Sequence, residues 1–220
     1  MSYTRRVDVK TRTRARILDA AERLFAERGV AAVSLREIGA AAGQRNNSAV
    51  QYHFGTRDAL VRALYEDRLA PLNRRRLALL AALPEDRRTD LAGLVDVYLR
   101  PLAEAMRDGS HDGHYARFIH RFTLEGEVLT PPLEADFAGG MRAVTALIAD
   151  ALAAAEPHTP PAVHSARLRL MQLLVTGTLA DSERRLADGT ELPLPFDGLL
   201  TELGHAAVGV LRPHGAARHG

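Results

Sequence analysis

Between Gly43 and Gly55 the chain gathers side chains suited to reading a polar surface: Arg45, Asn46, Asn47, Ser48, Gln51, Tyr52 and His53. The amides of Asn and Gln each offer a donor and an acceptor and can bond adenine in two places at once, while Ser serves several bases. Ser34 and Thr56 stand where helices are expected to start. Free N–H groups collect at such starts and attract phosphate oxygens, and Arg57 follows Thr56 directly. Arg45 and the N-terminal run Arg5, Arg6, Lys10, Arg12 and Arg14 can follow a phosphate backbone or enter a minor groove. The chemistry these residues point to is contact with double-stranded DNA. Other readings stay open for individual residues: Val50 and Phe54 as core, Tyr52 as a packing aromatic, His53 as a packing or capping group, Arg14 as part of a solvated helix face.

The elements that hold these residues follow from apolar spacing. Ile17, Ala20, Ala21, Leu24 and Phe25 recur at i, i+3, i+4, i+7 and i+8, the stripe of an amphipathic helix running from about Thr11 to Arg28. Gly29 stops it. Ser34-Leu-Arg-Glu37 is a capping box that opens a second helix, with Ile38, Ala41 and Ala42 inward and Gly43 in the tight turn that ends it. Asn46 and Asn47 can cap a third helix through Phe54, and Thr56 caps a fourth. Two short helices joined through Gly43 and backed by a longer one make a helix-turn-helix. Leu24, Phe25, Leu35, Ile38, Val50, Phe54 and Leu60 are its expected core. A recognition helix reads bases with residues near its N-terminus, which selects Asn47, Ser48 and Gln51.

The stretches Thr13 to Gly29, Ser34 to Gly43, Val50-Gln-Tyr-His-Phe54 and Thr56-Arg-Asp-Ala-Leu60 together resemble the opening of the TetR family of bacterial regulators, over roughly residues 11–65. The turn Gln44-Arg45-Asn46-Asn47 departs from that pattern by one extra residue. The resemblance implies that Tyr52 and His53 reach phosphate and that Arg36 reaches a base or a phosphate. It also implies a homodimer formed through the last two long helices, and a repressor released from its operator by a small molecule.

Charge is divided along the chain. Residues 1–57 hold eleven basic side chains against five acidic ones, a net +6, and the remainder carries −4. A basic head on an acidic body suits a nucleic-acid reader with a separate second function, although a basic terminus is also compatible with a solvated arm. The absence of cysteine removes disulfides and thiolate metal sites. No apolar leader and no membrane-length apolar run is present, so a cytoplasmic location away from membranes is expected.

Behind the head an all-α body is expected, with helices near 57–82, 88–108, 112–126, 133–156, 161–187 and 196–212, and Pro101 kinking the second of these or starting a new turn. The expected organisation is a three-helix DNA-binding domain over 1–56, a six-helix ligand-binding and dimerisation bundle over 57–213, and a disordered tail over 214–220. Tyr98, Met106, His114, Tyr115, Phe118, Phe122, Met141 and Met171 are the expected pocket residues, suiting an apolar or aromatic effector. His111-Asp-Gly-His114 has two imidazoles, but a solvated turn is preferred to a metal site, and no cofactor or metal is expected. No catalytic motif appears, so an enzyme on the helical body ranks last, behind a helical module that binds DNA without sequence preference.

Overall fold

The computed structural model describes residues 2–44, 48–107, 113–125 and 138–212. Among these residues the regular structure is all helical, as the periodicity predicts. In chain order the helices are α1 (Ser2–Arg28), α2 (Leu35–Ala41), α3 (Ala49–Phe54), α4 (Arg57–Ala82), α5 (Leu91–Arg107), α6 (Tyr115–Glu125), α7 (Gly139–Ala155), α8 (Pro161–Ala187) and α9 (Phe196–Leu211). A short 3-10 turn, Glu85–Arg87, precedes α5. The first helix starts nine residues before the expected Thr11, because no Gly or Pro stands between Ser2 and Arg28 to stop it. The α5 helix runs through Pro101 as one element, and α4 likewise contains Pro71. The segment 126–137 and the expected tail 214–220 lie outside the described residues.

The head forms largely as its pattern dictates, except that Ala41, expected inward, is exposed and the residue that precedes α3 is Ser48 rather than Asn46 or Asn47. Ile17, Ala21 and Phe25 are fully buried on α1, Ile38 and Val50 meet them from α2 and α3, and Leu60 and Leu64 close the core from α4. Each large apolar side chain removed from water contributes about 1.5–3 kcal/mol. Leu24, Leu35 and Phe54 pack on that core from half-buried positions. Gly43 adopts φ 69° in the turn after α2, a left-handed backbone that favours glycine.

The body wraps around α4. The α5 and α7 helices pack on α4, α6 lies between α8 and α1, and α9 covers α5 and α8. One apolar cluster runs from Ile17 in the head to Leu211 at the end of α9. The α4–α7 crossing is close: a Cβ on Gly140 would stand 2.3 Å from the Asn73 carbonyl oxygen.

Candidate nucleic-acid interface

The second helix is fixed by its cap. Glu37 N–H donates to Ser34 Oγ at 3.2 Å, and the Glu37 carboxylate accepts from Ser34 N–H at 2.8 Å and from its hydroxyl at 2.7 Å. Arg28, at the end of α1, adds an ion pair to Glu37 at 2.8 Å. These hydrogen bonds from Ser34, then the guanidinium, hold the Glu37 carboxyl down at about 2. Ser34 therefore works first as a helix cap. Arg36, one turn-position on, projects into solvent.

The third helix presents Gln51 and Tyr52 outward, with Tyr52 75% exposed. Val50, the next side chain toward the interior, is buried, as its core reading requires. Two cations on α1 brace the aromatic side of α3: Lys10 Nζ lies 5.7 Å from the Tyr52 ring centre, and the Arg14 guanidinium lies 5.0 Å from that of Phe54. Arg14 is thus half-buried against Phe54 rather than a free arm residue. His53 sits edge-on to Tyr52 at 5.2 Å. Burial, then Lys10 and Arg14, push the His53 imidazole below its ordinary value.

Ser48 is exposed just before α3 and makes no capping bond from its side chain. Arg45, Asn46 and Asn47 lie outside the described residues. Thr56 caps α4 by accepting from Ala59 N–H at 3.1 Å. Arg57 turns inward and donates to the Val30 carbonyl, tying α4 to the turn that follows α1. Its main structural bond is therefore internal.

A further set of contacts joins this surface to the body. Arg68 on α4 pairs with Asp19 and Glu22 on α1 and with Asp67 beside it. Burial pushes the Glu22 carboxyl up to about 7 against the opposing pull of Arg68. The Tyr115 hydroxyl donates to the Arg68 carbonyl, and Glu183 on α8 accepts from the Ala116 and Arg117 N–H groups at 2.9 and 3.0 Å. A polar chain thus runs from α1 through α4 and α6 to α8. Sequence reasoning missed it, although Arg68 lies on the same face of α4 as Leu64, Tyr65 and Leu72, where an apolar residue would be the norm.

The family model for bacterial regulatory proteins of the tetR family matches residues 17–64, from the middle of α1 into α4. An HTH-type transcriptional repressor of Mycobacterium tuberculosis is 42% identical over 95 residues, which is 43% of this chain and 47% of that protein. An HTH-type transcriptional regulator of Mycobacterium bovis matches equally well. The matched head is similar to those of bacterial regulatory proteins of the tetR family. Its match spans about half the length of these curated relatives. Beyond the matched head, the likeness is one of fold alone. A tetR family transcription regulator from Shewanella sp. PV-4 superposes with a TM-score of 0.54 at 15% identity, over 90% of this chain and 95% of that one.

In the helical body the expected pocket residues occupy two kinds of position. Tyr98, Tyr115, Phe118 and Met171 are buried in the core, and Phe118 stacks on Tyr65 at 5.4 Å. Met106, Phe122 and Met141 are half-buried at its margin, with Phe122 4.6 Å from Tyr65. His114 stands apart. It lines a cleft of about 570 Å³ with Arg16, Asp19 and Arg23 of α1 and with Ala41, Ala42 and Gly43, where head and body meet. Arg117 donates to its Nδ1 at 2.6 Å. His111 and Asp112 lie outside the described residues, and no metal-binding cluster occurs among the described ones. No described helix is long and apolar enough to cross a membrane.

Proposed function

We propose that this chain is a tetR-family transcription regulator of the repressor type, which binds a palindromic DNA operator as a homodimer and leaves it when a small molecule enters the helical body. The observation that carries this reading is the α3 surface. Gln51 and Tyr52 face solvent from a short helix whose other side is buried and whose flank is braced by Lys10 and Arg14. Such a helix is held rigidly enough to enter a major groove, where Gln51 with Asn47 and Ser48 would read bases. Tyr52, Thr56 and Arg36 would contact phosphate, with Arg45 following the backbone. The M. tuberculosis relative is a transcriptional repressor, which supports the same sign of regulation.

In this reading residues 1–56 are the reader and 57–213 the sensor and dimerisation domain. One recognition helix covers too few base pairs for a specific site, which favours a two-fold dimer. Apolar Val163 and Leu170, one heptad apart on α8, remain exposed in the single chain and suit a partner helix. The effector acts by binding the two arrangements of the heads with different affinity. Arg68 supplies a route, because it joins α4 to α1 and, through Tyr115, to α6.

Selection from random-sequence duplexes with the purified protein tests this. Enrichment of an inverted repeat with half-sites about one helical turn apart, roughly 34 Å, is the expected result. Recovery of no common sequence would leave a DNA-binding module without sequence preference.

A further inference from the structure

Arg76, on α4, is 1% exposed and is among the largest fully buried side chains of the described chain. Its guanidinium donates to Asn73 Oδ1 at 3.2 Å and to the Tyr98 carbonyl at 3.3 Å, both neutral acceptors at long range. The Tyr98 ring lies 5.3 Å away. The Nε–H has no acceptor, and no carboxylate among the described residues pairs with this guanidinium.

That arrangement is costly. A guanidinium cannot shed its proton near neutral pH, and a buried charge without a counter-charge costs several kcal/mol. Arg68, two turns earlier on the same helix, shows the usual solution, since it is surrounded by Asp19, Glu22 and Asp67. At Arg76 the donors are in place, and no carboxylate among the described residues faces them. Burial pushes its guanidinium below its ordinary value, and only the Tyr98 and Tyr115 phenols oppose this.

We propose that Arg76 anchors the effector through a carboxylate, so that the ligand of this body is an acidic small molecule with an otherwise apolar frame. The inference rests on the effector reading above and narrows its chemistry. The carboxylate takes the free Nε–H and one terminal N–H as a bidentate pair, which is the geometry a guanidinium fork prefers. The frame lies against the apolar and aromatic side chains around Tyr98. Because Arg76 is sealed from solvent, entry must part α4 from its neighbours, and the same α4 begins at Arg57 beneath the recognition helix, about 28 Å away along its axis. A ligand that binds there acts directly on the element that carries the heads.

Benzoate and octanoate, with their methyl esters as neutral twins, test the proposal on the full-length chain by thermal unfolding and calorimetry. At millimolar concentration the acids are expected to raise Tm by about 2–4 °C or more, and the esters are expected to fall at least tenfold short in affinity. In Arg76→Met the response to the acids is lost, while the Tm of the ligand-free protein stays level or rises, because an uncompensated buried charge has been removed. A ligand-free Tm that falls by many degrees in Arg76→Met would show that Arg76 is paired within the chain, and would overturn the proposal. Equal response to acids and esters would also overturn it while leaving an effector pocket intact. No response to any of the four compounds would overturn it without touching the DNA-binding reading, which the operator selection tests separately.

Discussion

Arg68 of α4 reaches Asp19 of α1 at 2.6 Å, from a guanidinium that is almost wholly buried to a carboxylate that is largely exposed. The same guanidinium also pairs with buried Glu22, so one side chain ties α4 to α1 at two points. The two helices meet through a charge cluster as well as through apolar packing.

Removing Arg68 leaves the buried Glu22 carboxyl without its counter-charge and obliges it to take up a proton near neutral pH. Arg68→Met is expected to lower stability by about 3–5 kcal/mol, the scale for breaking a buried pair from one side. The double variant Arg68→Met, Glu22→Gln should recover much of that loss. Urea unfolding of the three proteins reads it directly; a loss under about 1 kcal/mol in the single variant would mean that the pair is solvated.

The capping box of α2 is testable by pH. The Glu37 carboxyl is held at about 2, below an unfolded glutamate at 4.5. Its contribution is therefore complete above about pH 4.5 and disappears as pH falls through about 2. An NMR titration of the Glu37 side chain should find that low midpoint, and Ser34→Ala should move it up toward the ordinary value. The same substitution should cost about 0.5–2 kcal/mol, as N-cap deletions do.

The α4–α7 crossing depends on Gly140. A methyl group there would overlap the Asn73 backbone, which cannot turn aside as a side chain could. Gly140→Ala should lower Tm by several degrees, with Gly139→Ala as the control, because nothing stands within 4 Å of a Cβ at Gly139. Equal effects at the two positions would contradict the close crossing.

Tyr52 and Gln51 separate affinity from specificity. Tyr52→Ala should weaken binding to all duplexes to a similar degree, as a phosphate contact does. Gln51→Ala should cost about 1–3 kcal/mol on the preferred sequence and little elsewhere. Titrations against matched and single-substituted duplexes distinguish the two patterns.

The head was legible in the sequence because its determinants are local. The stripe from Ile17 to Phe25, the Ser34–Glu37 box and the glycine at 43 each act over a few residues, and each fell where the pattern placed it. Arg57 stands beside Thr56 at the start of α4, where a phosphate contact is expected, and its bond to Val30, 27 positions away, is one that no spacing rule gives. Arg68, Glu22, Glu183 and Arg76 escaped for the same reason, since their partners come from other helices and no spacing rule joins them. A weak trace did exist. Arg76 follows Leu69 and Leu72 at i+7 and i+4, which places a charge on the buried face of α4. Tyr98, Tyr115, Phe118 and Met171 were recognisable as large apolar groups of the body, but a stripe alone does not say which of them a ligand touches.

Sequence-specific DNA binding through α3 is tested most directly by the affinity of the purified protein for a duplex from upstream of its own gene against a scrambled duplex of equal length, at one near-physiological salt concentration. The expected gap is about 10³-fold or more, reduced when Gln51 is replaced by Ala. Equal affinity for both duplexes, fading together as salt rises and unchanged by that substitution, would contradict it.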